Sequence, residues 1–141
     1  MASDPANSIE GNPLKRKALP SFDFDSYKQA VETKDAARWI EFFAEDAAWI
    51  EYRNQDPPSR PRQLRGKAEI QSYLESLARA SPHRKLESAV ISTERVAFRL
   101  WTYLMGDQRI VEHVILEIAD GKITQQVDVE AWDLTRRSSE A

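Results

Sequence analysis

The residues best placed to do chemistry lie in the last strand-like segment, residues 120–133, DGKITQQVDVEAWD. Asp120-Gly121 is a tight-turn signal. After it, Ile123, Gln125, Val127, Val129 and Ala131 alternate with Thr124, Gln126, Asp128, Glu130 and Trp132. A period of two is that of a strand with two different faces. One face is apolar apart from Gln125; the other carries two carboxylates, an amide and a tryptophan. Such a row either faces water or lines a pocket. In a dry pocket, burial disfavours the charged form of Asp128 and raises its pKa, while a nearby arginine lowers it. That balance sets whether Asp128 can take or give protons near neutral pH. Arg95 and Arg99 could bind a carboxylate or stabilise a forming enolate. Glu51 is a second carboxylate, and paired carboxylates split their pKa values. The plainer reading has each arginine paired with a cross-strand acid such as Glu112 or Glu51, and Asp128 pairing with Arg95 or Arg99.

The rest of the chain narrows the chemistry. Its 141 residues suit one domain with a real hydrophobic core. With 41% hydrophobic and 30% charged residues it reads as soluble and globular. A net charge of −3 gives no electrostatic case for nucleic acid. There is no cysteine, so neither a disulfide scaffold nor a thiolate metal site is available. His83 and His113 are the two histidines, too few for a His-rich metal site, and no cofactor is expected. No apolar run approaches the roughly 20 residues of a membrane helix. The polar N-terminus is not a signal peptide, so a cytoplasmic protein is expected.

The elements that must position these residues follow from periodicity. Residues 1–21 read as a mobile arm, with Pro5, Gly11, Pro13 and Pro20 and a short basic run, Lys15-Arg16-Lys17. Residues 22–134 form the domain and 135–141 a frayed tail. Phe24, Tyr27 and Val31 fall at helical spacing, with Ser21 or Asp23 as cap. Asp35 starts a short second helix with Trp39, Ile40, Phe43 and Ala44 on its apolar side. Residues 46–53 are rich in strand formers. Pro57, Pro58 and Pro61 make 54–65 a loop. Ile70, Tyr73, Leu74 and Leu77 mark a helix over 66–80, with Gly66 as N-cap. Strand-like runs at about 85–92, 94–105, 109–118 and 122–133 follow, joined by short turns that favour antiparallel pairing. Helices gathered before such a sheet indicate an α+β fold with the helices on one face.

That order of elements resembles the SnoaL-like domains of the nuclear-transport-factor-2-like superfamily. The resemblance rests on Phe42-Phe43-Ala44-Glu45-Asp46-Ala47, on Leu64-Arg65-Gly66-Lys67-Ala68-Glu69-Ile70, and on Asp120-Gly121-Lys122-Ile123, and covers residues 22–133. It implies a cone-shaped α+β barrel in which three N-terminal helices pack on a curved, mainly antiparallel sheet around a pocket. It also implies a homodimer through the outer sheet face. The fold hosts isomerases, cyclases, dehydratases, epoxide hydrolases and plain binding modules, so it does not decide the reaction.

Limonene-epoxide-hydrolase-like members use Tyr-x-Asn on the first strand, Arg-x-Asp on a middle strand and an Asp on the last. Asp128 and Arg95 match two of these positions; Trp49, Glu51 and Ala97 stand at the others and depart. Epoxide hydrolysis is therefore disfavoured. The register implied by the resemblance turns Trp49, Glu51, Arg95, Arg99, Trp101, Glu112, Gln126, Asp128, Glu130 and Trp132 toward the pocket. Val96, Phe98, Leu100, Val111, His113, Ile115, Val127 and Val129 then face outward as the dimer surface. A one-residue slip reverses each set. SnoaL-like cyclases pair a histidine with a last-strand aspartate, and His113 with Asp128 is similar to that pair. The expectation is cofactor-free acid/base chemistry on a small hydrophobic molecule. Asp128, Arg95, Arg99, Glu51 and His113 are the candidate catalytic residues; Trp49, Trp101, Glu112, Gln126 and Trp132 are the candidate ligand contacts. The alternative is a non-catalytic ligand-binding or dimerisation module.

Overall fold

The protein is described by a computed structural model covering residues 21–80 and 82–133. The arm at 1–20, its basic run, and the tail beyond Asp133 lie outside the described residues. Helix α1 spans Phe24–Glu32, and Asp23 caps it by accepting from the Ser26 amide at 3.1 Å. Asp35 caps the short helix α2 (Ala36–Trp39) in the same way through the Arg38 amide. A 3₁₀ turn at Ile40–Phe42 follows, so Phe43 opens strand β1 (Phe43–Tyr52) rather than continuing the helix. Helix α3 runs from Lys67 to Arg79. Gly66 precedes it at φ +87, a backbone that favours glycine, and the Glu69 carboxylate reaches back to the Arg65 amide at 2.7 Å.

The sheet contains β1, β2 (Arg62–Arg65), β3 (His83–Ile91), β4 (Arg95–Tyr103), β5 (Arg109–Ala119) and β6 (Lys122–Asp133). Their spatial order is β2-β1-β6-β5-β4-β3. All neighbours are antiparallel except β1 and β6, which run parallel. This is the expected cone-shaped α+β fold, with three helices on a mixed six-stranded sheet that does not close. Strand β2 is a correction to the sequence reading. The prolines stop at Pro61, and the four residues from Arg62 to Arg65 are free to pair along the β1 edge, Ala48 opposite Arg65.

Two irregularities set which side chains face inward. Asp120 and Gly121 have φ of +51 and +74, the two positive values that a two-residue hairpin turn requires. Just past it, Ile118 pairs with Ile123 but Glu117 pairs with Gln125, so Thr124 is an extra residue in β6. This bulge shifts the alternation by one. Ile123 therefore shares the inner face with Gln126 and Asp128, and all three are buried. A second bulge in β3 lies between Glu87 and Val90, where Ser88 has φ +58.

The core is where the helices fill the cone. Tyr27 of α1 and Ile70 and Leu74 of α3 are fully buried against Phe98, Val114 and Leu116 of the sheet. Tyr27 and Phe98 rings lie 5.9 Å apart, and Phe24 and Phe98 5.7 Å apart. The opposite sheet face leaves Ile115, Val129 and Val90 exposed. No helix among the described residues is long and apolar enough to cross a membrane.

Candidate functional site

Cross-strand pairing arranges the inner face in rungs. One rung carries Glu51 of β1, Asp128 of β6, Val114 of β5 and Phe98 of β4. The next carries Glu130, Glu112, Leu100 and Leu86. The third carries Trp132, Ile110, Thr102 and Arg84. A cavity of about 260 Å³ opens over the last two rungs. Glu51, Glu112, Glu130, Gln126, Trp49 and Trp132 line it from β1, β5 and β6. Arg84, Leu100 and Thr102 line it from β3 and β4, and Tyr73 and Leu77 close it from α3. This is below the roughly 300–1,000 Å³ of drug-sized sites, so the cavity has room for a small molecule only.

Asp128 lies behind this cavity, fully buried. Its Oδ2 accepts from Trp49 Nε1 and its Oδ1 from Gln126 Nε2, each at 2.9 Å. Glu112, which does line the cavity, also shares a hydrogen bond with Asp128. Asp128 is fully buried and Glu112 half-buried, and two neighbouring carboxyl groups resist both being charged. Burial pushes Glu112 well above its ordinary value, and the negative charge of Asp128 pushes it further. Burial also raises Asp128 well above its ordinary value, as does the charge of Glu51, and the hydrogen bonds from Gln126, Glu112 and Trp49 offset this only in part. Both carboxyls are thus pushed toward their neutral forms, and their protons leave in two steps that belong to the pair.

Glu51 sits on the same rung as Asp128 and is 3% exposed. The Tyr73 hydroxyl donates to it at 3.0 Å and Arg62 Nη1 lies 3.5 Å away, the Arg62 guanidinium itself stacking 4.1 Å over the Tyr73 ring. Burial raises the Glu51 pKa, while Tyr73 and Arg62 oppose the shift. Glu130 accepts from Trp132 Nε1 at 2.7 Å, and its pKa is also raised by burial. Among the described residues, no group of three or more His, Asp and Glu side chains is arranged to hold a metal ion.

Four expected site residues stand elsewhere. On β4 the inward set is Val96, Phe98, Leu100 and Thr102, so Arg95, Arg99 and Trp101 point away from the cavity. The register inferred for this strand is off by one residue. The reason is packing: α1 lays Phe24 and Tyr27 on Phe98, which needs the apolar alternation inside. Arg95 pairs with Glu117 at 3.0 Å and Arg99 with Glu87 at 3.3 Å, and Trp101 Nε1 donates to the same Glu87 at 2.8 Å. His113 is exposed on the outer face, opposite Arg99 and Val129. Arg95, Arg99 and His113 thus have no contact with the cavity that holds Glu112. The sequence reading passed over Arg84, Tyr73 and Thr102. Tyr73 was taken as helix core. Arg84 had a usable signal: it alternates with Leu86, which places an arginine on an apolar face.

Comparison with solved structures defines the class first. A nuclear-transport-factor-2-like protein of unknown function from Mesorhizobium loti superposes with a TM-score of 0.66 at 15% identity, over 77% of this chain and 87% of that one. A candidate ketosteroid isomerase from Kribbella flavida gives 0.60 at 18% identity, over 81% and 77%. A candidate isomerase from Bacillus subtilis also gives 0.60 at 18%, over 77% and 83%. No curated protein matches the chain by sequence. The family profile of the SnoaL-like domain matches residues 24–126, and the chain belongs to that family.

Proposed function

We propose that the cone binds a small, mostly apolar molecule and transfers a proton on it with the Glu112–Asp128 carboxyl pair. The observation that carries this reading is a hydrogen-bonded carboxyl pair in which Asp128 is fully buried and its half-buried partner, Glu112, lines the cavity. Glu112, kept neutral, gives its proton to a carbonyl or departing hydroxyl oxygen. Asp128 positions it and keeps it neutral until then. Glu51 takes a C–H proton as the base, its raised pKa bringing it nearer the operating pH. The reaction class is isomerisation, cyclisation or dehydration without a cofactor. Two of the similar structures, described as candidate isomerases, lend support.

The alternative is a binding module. It draws on the closed hydrogen bonding of Asp128, whose carboxylate has no exposure. Solvent-deuterium incorporation separates the two readings. Small enones and hydroxyketones are incubated with the protein in D₂O and followed by NMR. The enzyme reading expects incorporation at carbon, falling at least about 100-fold in Glu112→Gln. A ligand that binds wild type but gains no deuterium favours the module.

A further inference from the structure

Two arginines line the cavity; Arg53 is paired with Asp56 at 2.6 Å, and nothing in the proton transfer uses Arg84. It is 4% exposed and lines the pocket from β3. Its Nη1 is buried without a hydrogen-bond partner, and no described acid lies within ion-pair distance of the guanidinium. Its neighbours on the rung are Thr102, Ile110 and Trp132. A buried cation left unpaired is costly, and charged side chains are almost never fully buried unless paired. The acid whose field it feels most is Glu112, two strands and one rung away, whose pKa burial and the charge of Asp128 push well above its ordinary value. On the far side of the cavity a second orphan complements it: Gln126 Oε1 is buried with no donor.

We propose that the ligand of this pocket is a small organic acid, whose carboxylate is bound by Arg84 and whose hydroxyl or N–H donates to Gln126. The planar guanidinium presents paired N–H donors that suit a carboxylate. Leu100, Ile110, Leu77 and Trp132 then cover an apolar body between the two ends. This rests on the cavity of the proposed function and adds the class of molecule that fills it. It also fixes orientation, because a carboxylate anchored at Arg84 places the opposite end of the ligand beside Glu112.

The test uses the full chain and calorimetric titration with small aryl and alkenyl carboxylates. Each is matched to its primary amide, and inorganic phosphate is the free-anion control. Wild type is expected to bind the best carboxylates about 10- to 100-fold tighter than their amides. Arg84→Met should bind acid and amide alike. It should also melt no lower than wild type, because an apolar side chain replaces an unpaired buried charge. Equal binding of acid and amide by wild type, a preference that survives in Arg84→Met, phosphate binding as tightly as any organic acid, or no carboxylate binding at millimolar concentration would each overturn the inference. Carboxylate binding without deuterium incorporation leaves this inference standing and removes proton transfer. Incorporation into neutral ketones without a carboxylate preference does the reverse.

Discussion

At the residue scale, the site depends on a carboxyl group being kept neutral by its neighbour. Glu112 alone in a wet cleft would be an ordinary carboxylate; Asp128 behind it and the apolar cone around it change that. The same arrangement has a stability consequence. Burial and the charge of Asp128 raise the Glu112 pKa on folding above the 4.5 of the unfolded chain. The stability it contributes is full below that value and is lost as pH rises toward the raised one. Glu112→Gln keeps an N–H donor for Asp128 and removes the titration. It should therefore melt above wild type at about pH 7.5 and equal to it near pH 4. Each tenfold change in the protonation equilibrium is about 1.4 kcal/mol, or roughly 3–5 °C in a domain of this size. Melts across this range by circular dichroism check it, and a constant difference at every pH would contradict it. Asp128 and its row were visible in the sequence because alternation marks a strand face. Arg84 was not, since the strand reading began one residue after it.

At the element scale, the bulge at Thr124 decides what the last strand offers the cavity. Simple alternation from Ile123 would place it opposite Asp128, and the extra residue brings both inside. Helices and strands were legible because their periods differ and glycine and proline punctuate them. The bulge was not, because its trace, the polar run Thr124-Gln125-Gln126, reads equally well as a single polar residue on an apolar face. Strand β4 failed differently: both faces carry large side chains, and only the contact of Phe98 with Phe24 and Tyr27 selects the inner one. Deleting Thr124 should force either Ile123 or the Gln126–Asp128 row outward. The expected cost is about 3 kcal/mol or more, with loss of ligand binding. Urea unfolding measures it, and a deletion variant as stable as wild type would show that the bulge does not set the register.

At the scale of the whole molecule, the cone has one filled face and one bare one. The helices cover the inner face, while Ile115 and Val129 stay exposed on the outer face of the two central strands. We propose that a second copy covers this face, the sequence reading's expectation, although Val96, Phe98 and Leu100 of the row that suggested it point inward. Wild type should sediment as a dimer. Ile115→Lys with Val129→Lys should sediment as a monomer while retaining the cavity. A monomeric wild type at micromolar concentration would contradict this.

All of the proposed chemistry returns to one proton shared between Glu112 and Asp128. Carboxyl ¹³C NMR of the full chain, with Asp128→Asn as comparison, reads that proton directly. The account predicts that in wild type Glu112 titrates well above its ordinary 4.5 and that the pair loses its protons in two separated steps. In Asp128→Asn, the neighbouring charge is gone and Glu112 should ionise at lower pH than in wild type. Titration of both wild-type carboxyls at their ordinary values, or a Glu112 that does not respond to Asp128→Asn, would contradict the account.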